Sequence, residues 1–176
     1  MATTQWTLDP THSELQFKVK HLMITTVTGN LRIFNASATT EGDDFENAAV
    51  SFEAETGSLD TGNKDRDNHL KSGDFFDAEK FPAISFRSAS FTKDGDDFVI
   101  KGDLTVKDVT KPVKLTAEFG GIATDPWGNT KAGFTLSGKI NRTDFGLTWN
   151  AALETGGVMV SEEVKIAGEL QFVKQA

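Results

Sequence analysis

Hydrophobic and polar residues alternate along most of this chain. Phe17, Val19 and His21 fall on one side of the segment ending at His21, while Gln16, Lys18 and Lys20 fall on the other. That two-residue period marks a strand with one buried face. Phe98, Ile100, Leu104 and Val106 alternate with Lys101, Asp103, Thr105 and Lys107, and Val113, Leu115, Ala117 and Phe119 alternate with Lys114, Thr116 and Glu118. Turn clusters at Gly42-Asp43-Asp44, Asp94-Gly95-Asp96, Asp125 to Asn129 and Gly156-Gly157 separate strand candidates near 13–21, 27–40, 48–57, 82–92, 97–107, 111–123, 131–141 and 163–173. The pattern predicts an all-β chain: one extended eight-stranded antiparallel β-barrel with an apolar interior, spanning 1–176 as a single domain. Two stretches depart from the period. Asn63 to Ser72 predicts a short helix, with Asp65 early and Lys71 late to suit the helix dipole, and Thr143 to Leu147 predicts a single turn, both at a rim.

An eight-stranded barrel is either filled by its own side chains or encloses one small ligand, so the inward residues decide its function. Phe17, Ile33, Phe52, Phe86, Phe134, Ile166 and Phe172 are bulky inward candidates, with Val19, Ile84, Leu104, Leu115 and Phe119 on the same alternating faces. Gly102, Ala117, Ala132, Gly138 and Gly168 interrupt them and remove volume, which either leaves room for a guest or eases strand coiling in a filled barrel. Phe75, Phe76 and Phe81 stand near the predicted helix as guards of a mouth, and Phe145 and Trp149 complete the candidate ligand-binding set.

Composition narrows the chemistry. Fourteen Phe and no Tyr leave the interior without phenolic hydroxyls, which suits a long hydrocarbon guest and supplies no acid, base or nucleophile. A formal net charge of -8 disfavours nucleic acid and polybasic membrane docking. With no Cys, disulfides and thiolate metal sites are excluded. No apolar run approaches the length of a spanning helix, and no basic segment followed by an apolar run opens the chain, so the expected location is the cytoplasm, or the periplasm if a leader has been removed.

Particular residues add a resemblance. Trp6-Thr7-Leu8-Asp9-Pro10-Thr11-His12-Ser13, Phe17 to His21 and Val27-Thr28-Gly29 are followed by Arg66-Asp67-Asn68-His69-Leu70-Lys71-Ser72, Phe75-Phe76-Asp77 and Lys80-Phe81-Pro82. Then come Gly102 to Val106, Val109 to Val113 and Asn141-Arg142-Thr143-Asp144-Phe145-Gly146. In this order they resemble the YceI family of bacterial lipocalin-like polyisoprenoid-binding proteins across nearly the whole chain. The resemblance implies a lipocalin-like barrel holding an isoprenoid chain, a quinone tail or a fatty amide. It also implies a homodimer, with no metal and no catalytic group.

His12, His21 and His69 match no zinc spacing, because the first two differ by an odd number of residues and the third lies on the helix. His12 reads as a residue that orients the first strand, and His21 as one that closes an inward series beside a headgroup. Arg66, Asp67, His69 and Lys71 read either as a headgroup rim or as a solvated helix face, and Arg142 and Asp144 as a tied turn. The expected protein is a non-enzymatic carrier of a long apolar lipid. An enzyme acting on an apolar substrate at the barrel mouth is the alternative, and a filled barrel working through a dimer surface is a second. The apolar Leu22-Met23-Ile24 run either covers the tunnel or joins a second subunit.

Overall fold

The computed structural model describes residues 2–22, 24–148, 150 and 160–175. Among them are strands β1 (Thr3–Leu8), β2 (Glu14–His21), β3 (Thr25–Leu31), β4 (Phe34–Glu41), β5 (Asp44–Glu55), β6 (Leu59–Asp60), β7 (Ala83–Asp94), β8 (Asp97–Val106), β9 (Val109–Thr124), β10 (Thr130–Asn141) and β11 (Glu163–Lys174). One helix, α1 (Lys64–Lys71), and 3₁₀ turns at Pro10–His12, Thr56–Ser58 and Arg142–Phe145 complete the set. Strands β1, β4, β5, β7, β8, β9, β10 and β11 are hydrogen-bonded in that order, and β11 returns to β1. This is a closed eight-stranded antiparallel barrel, the architecture the alternation predicts. From β11 the sheet also continues through β2 and β3 to β6.

The extension arises because three strands are broken. β1 and β2 lie end to end along β11, which pairs Phe172 with Leu8 and Gly168 with Leu15. β3 and β4 run back along them, Gln16 pairing Asn30 and Thr7 pairing Ser37. β5 and β6 follow in the same way, through Phe34 with Ala54 and Leu31 with Leu59. Below the breaks the sheet closes on itself. Above them β6 has, among the described residues, no paired strand on its far side, β7 begins only at Ala83 opposite Glu55, and α1 with the turns after it follows β6. The 27–40 candidate is therefore two strands meeting at Arg32-Ile33, and β1 and β6 are additional to the predicted set.

The first break has a clear chemical cause. Pro10 has no N–H to offer a ladder and fixes its own φ, and the Asp9 side chain accepts from Thr11 N, starting the 3₁₀ turn. The missing ladder bonds are replaced locally: Asp9 N donates to Gln171 O at 2.8 Å and Gln171 N donates to Ser13 Oγ at 3.0 Å. Asp9 then ties the break to the opposite strand. Its Oδ2 accepts from Lys131 Nζ at 2.7 Å and lies 2.8 Å from His12 Nδ1, and its Oδ1 accepts from Thr11 Oγ1 at 2.6 Å. The Lys131 bond, followed by Thr11 and His12, holds the Asp9 carboxyl far below the usual carboxylate range. His12 thus orients the chain between the first two strands.

The barrel's lower end is packed with rings. Trp6 is fully buried, donates Nε1–H to Thr40 Oγ1 at 2.9 Å, and lies 5.0 Å from Phe45 between ring centroids. Phe91, Phe98, Phe119 and Phe134 close the same cluster at centroid distances of 4.9 to 6.4 Å.

Because Asp9 has a lowered pKa in the fold, its stabilisation is fully present above the unfolded carboxylate pKa of about 3.9 and fades as pH falls from there toward the folded value. Asp9→Asn is expected to cost about 1–2 kcal/mol at neutral pH. The gap to the native protein should narrow in acid unfolding series below about pH 4; a gap constant through that range contradicts the assignment.

Candidate functional site

Above the ring cluster the barrel is hollow. A cavity of about 540 Å³ runs up to the broken-strand end, lined by every strand of the closed sheet except β1, and by β2, β3, α1 and the turn at Arg142. Phe45, Phe91, Phe134 and Phe172 form its floor. Its walls are Leu15, Phe17 and Val19 on one side and Ile84, Phe86, Leu104 and Leu115 on the other, with Val50, Phe52, Leu136, Ile166 and Leu170 between them. Gln16 aside, the polar lining residues belong to the mouth: Lys20 and His21 end β2, Asp65, Arg66 and His69 lie on α1, and Arg142 follows β10.

Local capping positions α1. The Asn63 side chain accepts from Arg66 N at 3.0 Å, and Asp67 Oδ1 accepts from Thr61 N and Thr61 Oγ1 at 2.8 and 2.6 Å, binding the helix to the end of β6. Arg66 donates Nε–H to Thr61 Oγ1 and Nη2–H to Thr61 O. His69 Nε2 lies 2.9 Å from Asp74 Oδ2. The charged cluster on the helix is thus both structural, through Asp67, and part of the cavity lining, through Arg66 and His69.

Arg142 is the buried cation of the site, only 3% exposed. Its guanidinium donates to the carbonyls of Ser161, Leu147 and Val160 and stands 5.9 Å from the centre of the Phe75 ring. Burial lowers its pKa, and the charge of Glu162 works against that. Ser161 in turn exchanges hydrogen bonds with the Lys20 backbone, so the arginine knits the mouth to β2.

Most of the residues chosen by alternation reach the cavity: Phe17, Val19, His21, Phe52, Ile84, Phe86, Leu104, Leu115, Phe134 and Ile166 all line it, with Phe75 and Phe76 above them. Four do not. Ile33 is 55% exposed, because the inward side changes from Val27 and Leu31 to Phe34, Ala36 and Ala38 across the Arg32-Ile33 break. Phe119 points inward but below the floor, 5.2 Å from Phe134. Phe145 is buried in its 3₁₀ turn, and Phe81 is half-buried beneath the Lys80 ammonium, neither on the wall. Trp149 and Met23 lie outside the described residues.

Of the two readings of the small inward residues, the contacts at the glycines favour close strand packing over free room. A Cβ on Gly102 would collide with Arg87 O and meet the Phe86 ring at 2.7 Å, one on Gly138 would meet Leu115, and one on Gly29 would meet the Phe17 ring. Neighbouring large side chains already occupy these gaps. Ala117 alone of the five predicted small positions lines the cavity. Ile100, Val106, Leu136 and Leu170, absent from the predicted set, follow by parity from neighbours that are in it. Arg142 carries no such signal, because its place in the wall depends on the turn after β10.

A closed eight-stranded barrel with an apolar, blind-ended interior and a polar mouth defines a lipocalin-like binding fold. Comparison with known proteins makes the family specific. The YceI-like domain matches residues 6–172. A UPF0312 protein of Staphylococcus aureus is 38% identical over 170 residues, spanning 96% of this chain and 97% of its own. A Campylobacter jejuni YCEI protein of known structure is 32% identical with a TM-score of 0.77, covering 89% of this chain and 90% of that one. A Saccharophagus degradans structure described as a polyisoprenoid binding domain implicated in plant cell wall breakdown shares the fold, with a TM-score of 0.71 at 15% identity, covering 97% of this chain and 98% of its own. The chain belongs to the YceI family.

Gly102→Ala is expected to destabilise the protein by about 1–3 kcal/mol, since its Cβ has no space between Arg87 O and the Phe86 ring. Urea unfolding measures this; an unchanged midpoint contradicts the packing described.

Proposed function

We propose that this protein binds one long apolar lipid in its barrel and carries or sequesters it without chemical change. The observation that carries the reading is the distribution of polarity: a cavity of about 540 Å³ with an aromatic floor and aliphatic walls, and charged groups gathered at the opposite end. Such a wall holds a chain by removing it from water, at about 25 cal/mol per Å². The mouth presents polar and charged groups to the head, among them Lys20, His21 and Arg66. The S. degradans neighbour, described as polyisoprenoid-binding, supports an isoprenoid as the guest.

In this reading the two ends do different work. The floor and walls give affinity and tolerate any apolar chain that fits, while the mouth orients the molecule. A quinone ring or a fatty amide meets the same groups as an isoprenoid head, so the tail is the shared feature of the guest. The exposed Leu22 and Ile24, at 37% and 77%, stand on the loop beside the mouth. They support a second part of the proposal, that two copies pair through this loop.

Delipidated protein should take up an isoprenoid quinone, and Ala117→Phe, which sends a ring into the cavity, should weaken that uptake by roughly tenfold or more. Calorimetric titration checks both. No uptake by the native protein, or equal affinity in the variant, contradicts the proposal. Sedimentation of Ile24→Asp should shift a dimer of the native protein to monomer; a native monomer, or an unaffected dimer, contradicts the pairing.

A further inference from the structure

The floor of the cavity is one ring thick at Phe45. This residue is the second of β5, just after the β4–β5 turn, and is 3% exposed. It lines the main cavity, and it also lines a separate recess of about 270 Å³ at the hairpin end of the barrel, with Asp43, Asp44, Gly95 and Asp96. Phe91 and Phe134 face the cavity, and Phe98 and Phe119 face the recess. Phe45 belongs to both.

Its packing fixes the ring in this position. The centroid lies 5.0 Å from Trp6, 4.9 Å from Phe134 in an edge-on arrangement, 5.9 Å from Phe119 and 6.3 Å from Phe91. The backbone cooperates: Asn47 has a φ of 66°, and the buried side of β5 changes from Phe45 to Ala48 across it. The pairing of β4 with β5 also slips between Thr39 and Glu41. A uniform strand would place Phe45 and Phe52 on opposite faces, and this irregularity turns both inward.

We propose that Phe45 is the residue that sets guest length: the end of the tail rests on its ring, and a smaller side chain there joins the cavity to the recess, so that a longer tail passes deeper into the barrel. The inference rests on the reading of the cavity as a lipid site. With Phe45 in place, carbon beyond the cavity's depth stays at the mouth in water and adds little affinity. Without the ring, each further buried methylene contributes again.

The test is a binding series of farnesol, geranylgeraniol and solanesol on delipidated native protein, Phe45→Ala, Phe45→Leu and Phe45→Trp, with thermal unfolding of each variant. Relative to farnesol, affinity for solanesol should rise roughly tenfold or more in Phe45→Ala, rise less in Phe45→Leu, and fall in Phe45→Trp. Phe45→Leu keeps an aliphatic group in the ring cluster and carries the test if the alanine variant does not fold. Native protein that binds the prenols, with a length preference unmoved in the folded variants, overturns the role of Phe45 alone. Native protein that takes up none of the three overturns the lipid reading and this inference with it.

Discussion

Everything in this molecule depends on β11 serving two partners. Its last residues pair with β1 and close the barrel; its first residues pair with β2 and carry the sheet past the closure. A closed sheet leaves no unpaired edge, and a sheet closed along its full length would leave no wide mouth either. The interruption between β1 and β2 closes the lower sheet and opens the upper one, where, among the described residues, β6 keeps an unpaired edge. It is made affordable by Asp9 and Ser13, which satisfy the backbone of Gln171 where the ladder lapses, and by Lys131, which anchors Asp9 to β10. The breaks at Arg32-Ile33 and Thr56–Ser58 repeat the interruption in the next two strands, so the opening is built from neighbouring strands that part company at one level.

From that geometry the division of the interior follows. At the hairpin end of the closed barrel phenylalanine rings fill the interior. From that floor the cavity rises through the closed sheet, past Ala36, Val50, Phe52 and Leu104, to the level of the extended sheet and α1. The polar groups fall at the mouth because there the chain leaves the sheet and its carbonyls need partners. Arg142 meets three of them. A cation buried there is costly alone, and its carbonyl contacts and the Phe75 face offset the cost while keeping positive charge beside the opening.

Much of this was legible in the sequence, and the failures have a common source. Alternation identifies strands and, within an unbroken strand, which side chains share a face; Phe17 and Val19, or Leu104 and Val106, follow from it directly. Parity does not survive a break or a bulge. A single 27–40 strand turns Ile33 inward, but the buried side changes at the Arg32-Ile33 junction. The glycines pose a related problem: a pattern shows that Gly102 lacks a side chain and leaves both room and strand coiling open, but only the cross-strand register shows that Phe86 already covers it. Depth along the barrel is also invisible to parity, which is why Phe119 was placed with the walls although it lies under the floor. The helix fared better, since Asn63 and Ser72 are local capping signals that bracket α1 as observed.

In the proposed reading the cavity holds one lipid chain. Native mass spectrometry of protein purified gently, without detergent or organic solvent, tests it most directly. The expected spectrum shows a species heavier than the polypeptide by the mass of a single long-chain lipid, which organic extraction removes and tandem fragmentation identifies as an unbranched or isoprenoid hydrocarbon with a polar head. A spectrum showing only the bare polypeptide mass, from protein that also fails to take up lipid when it is supplied, would contradict it.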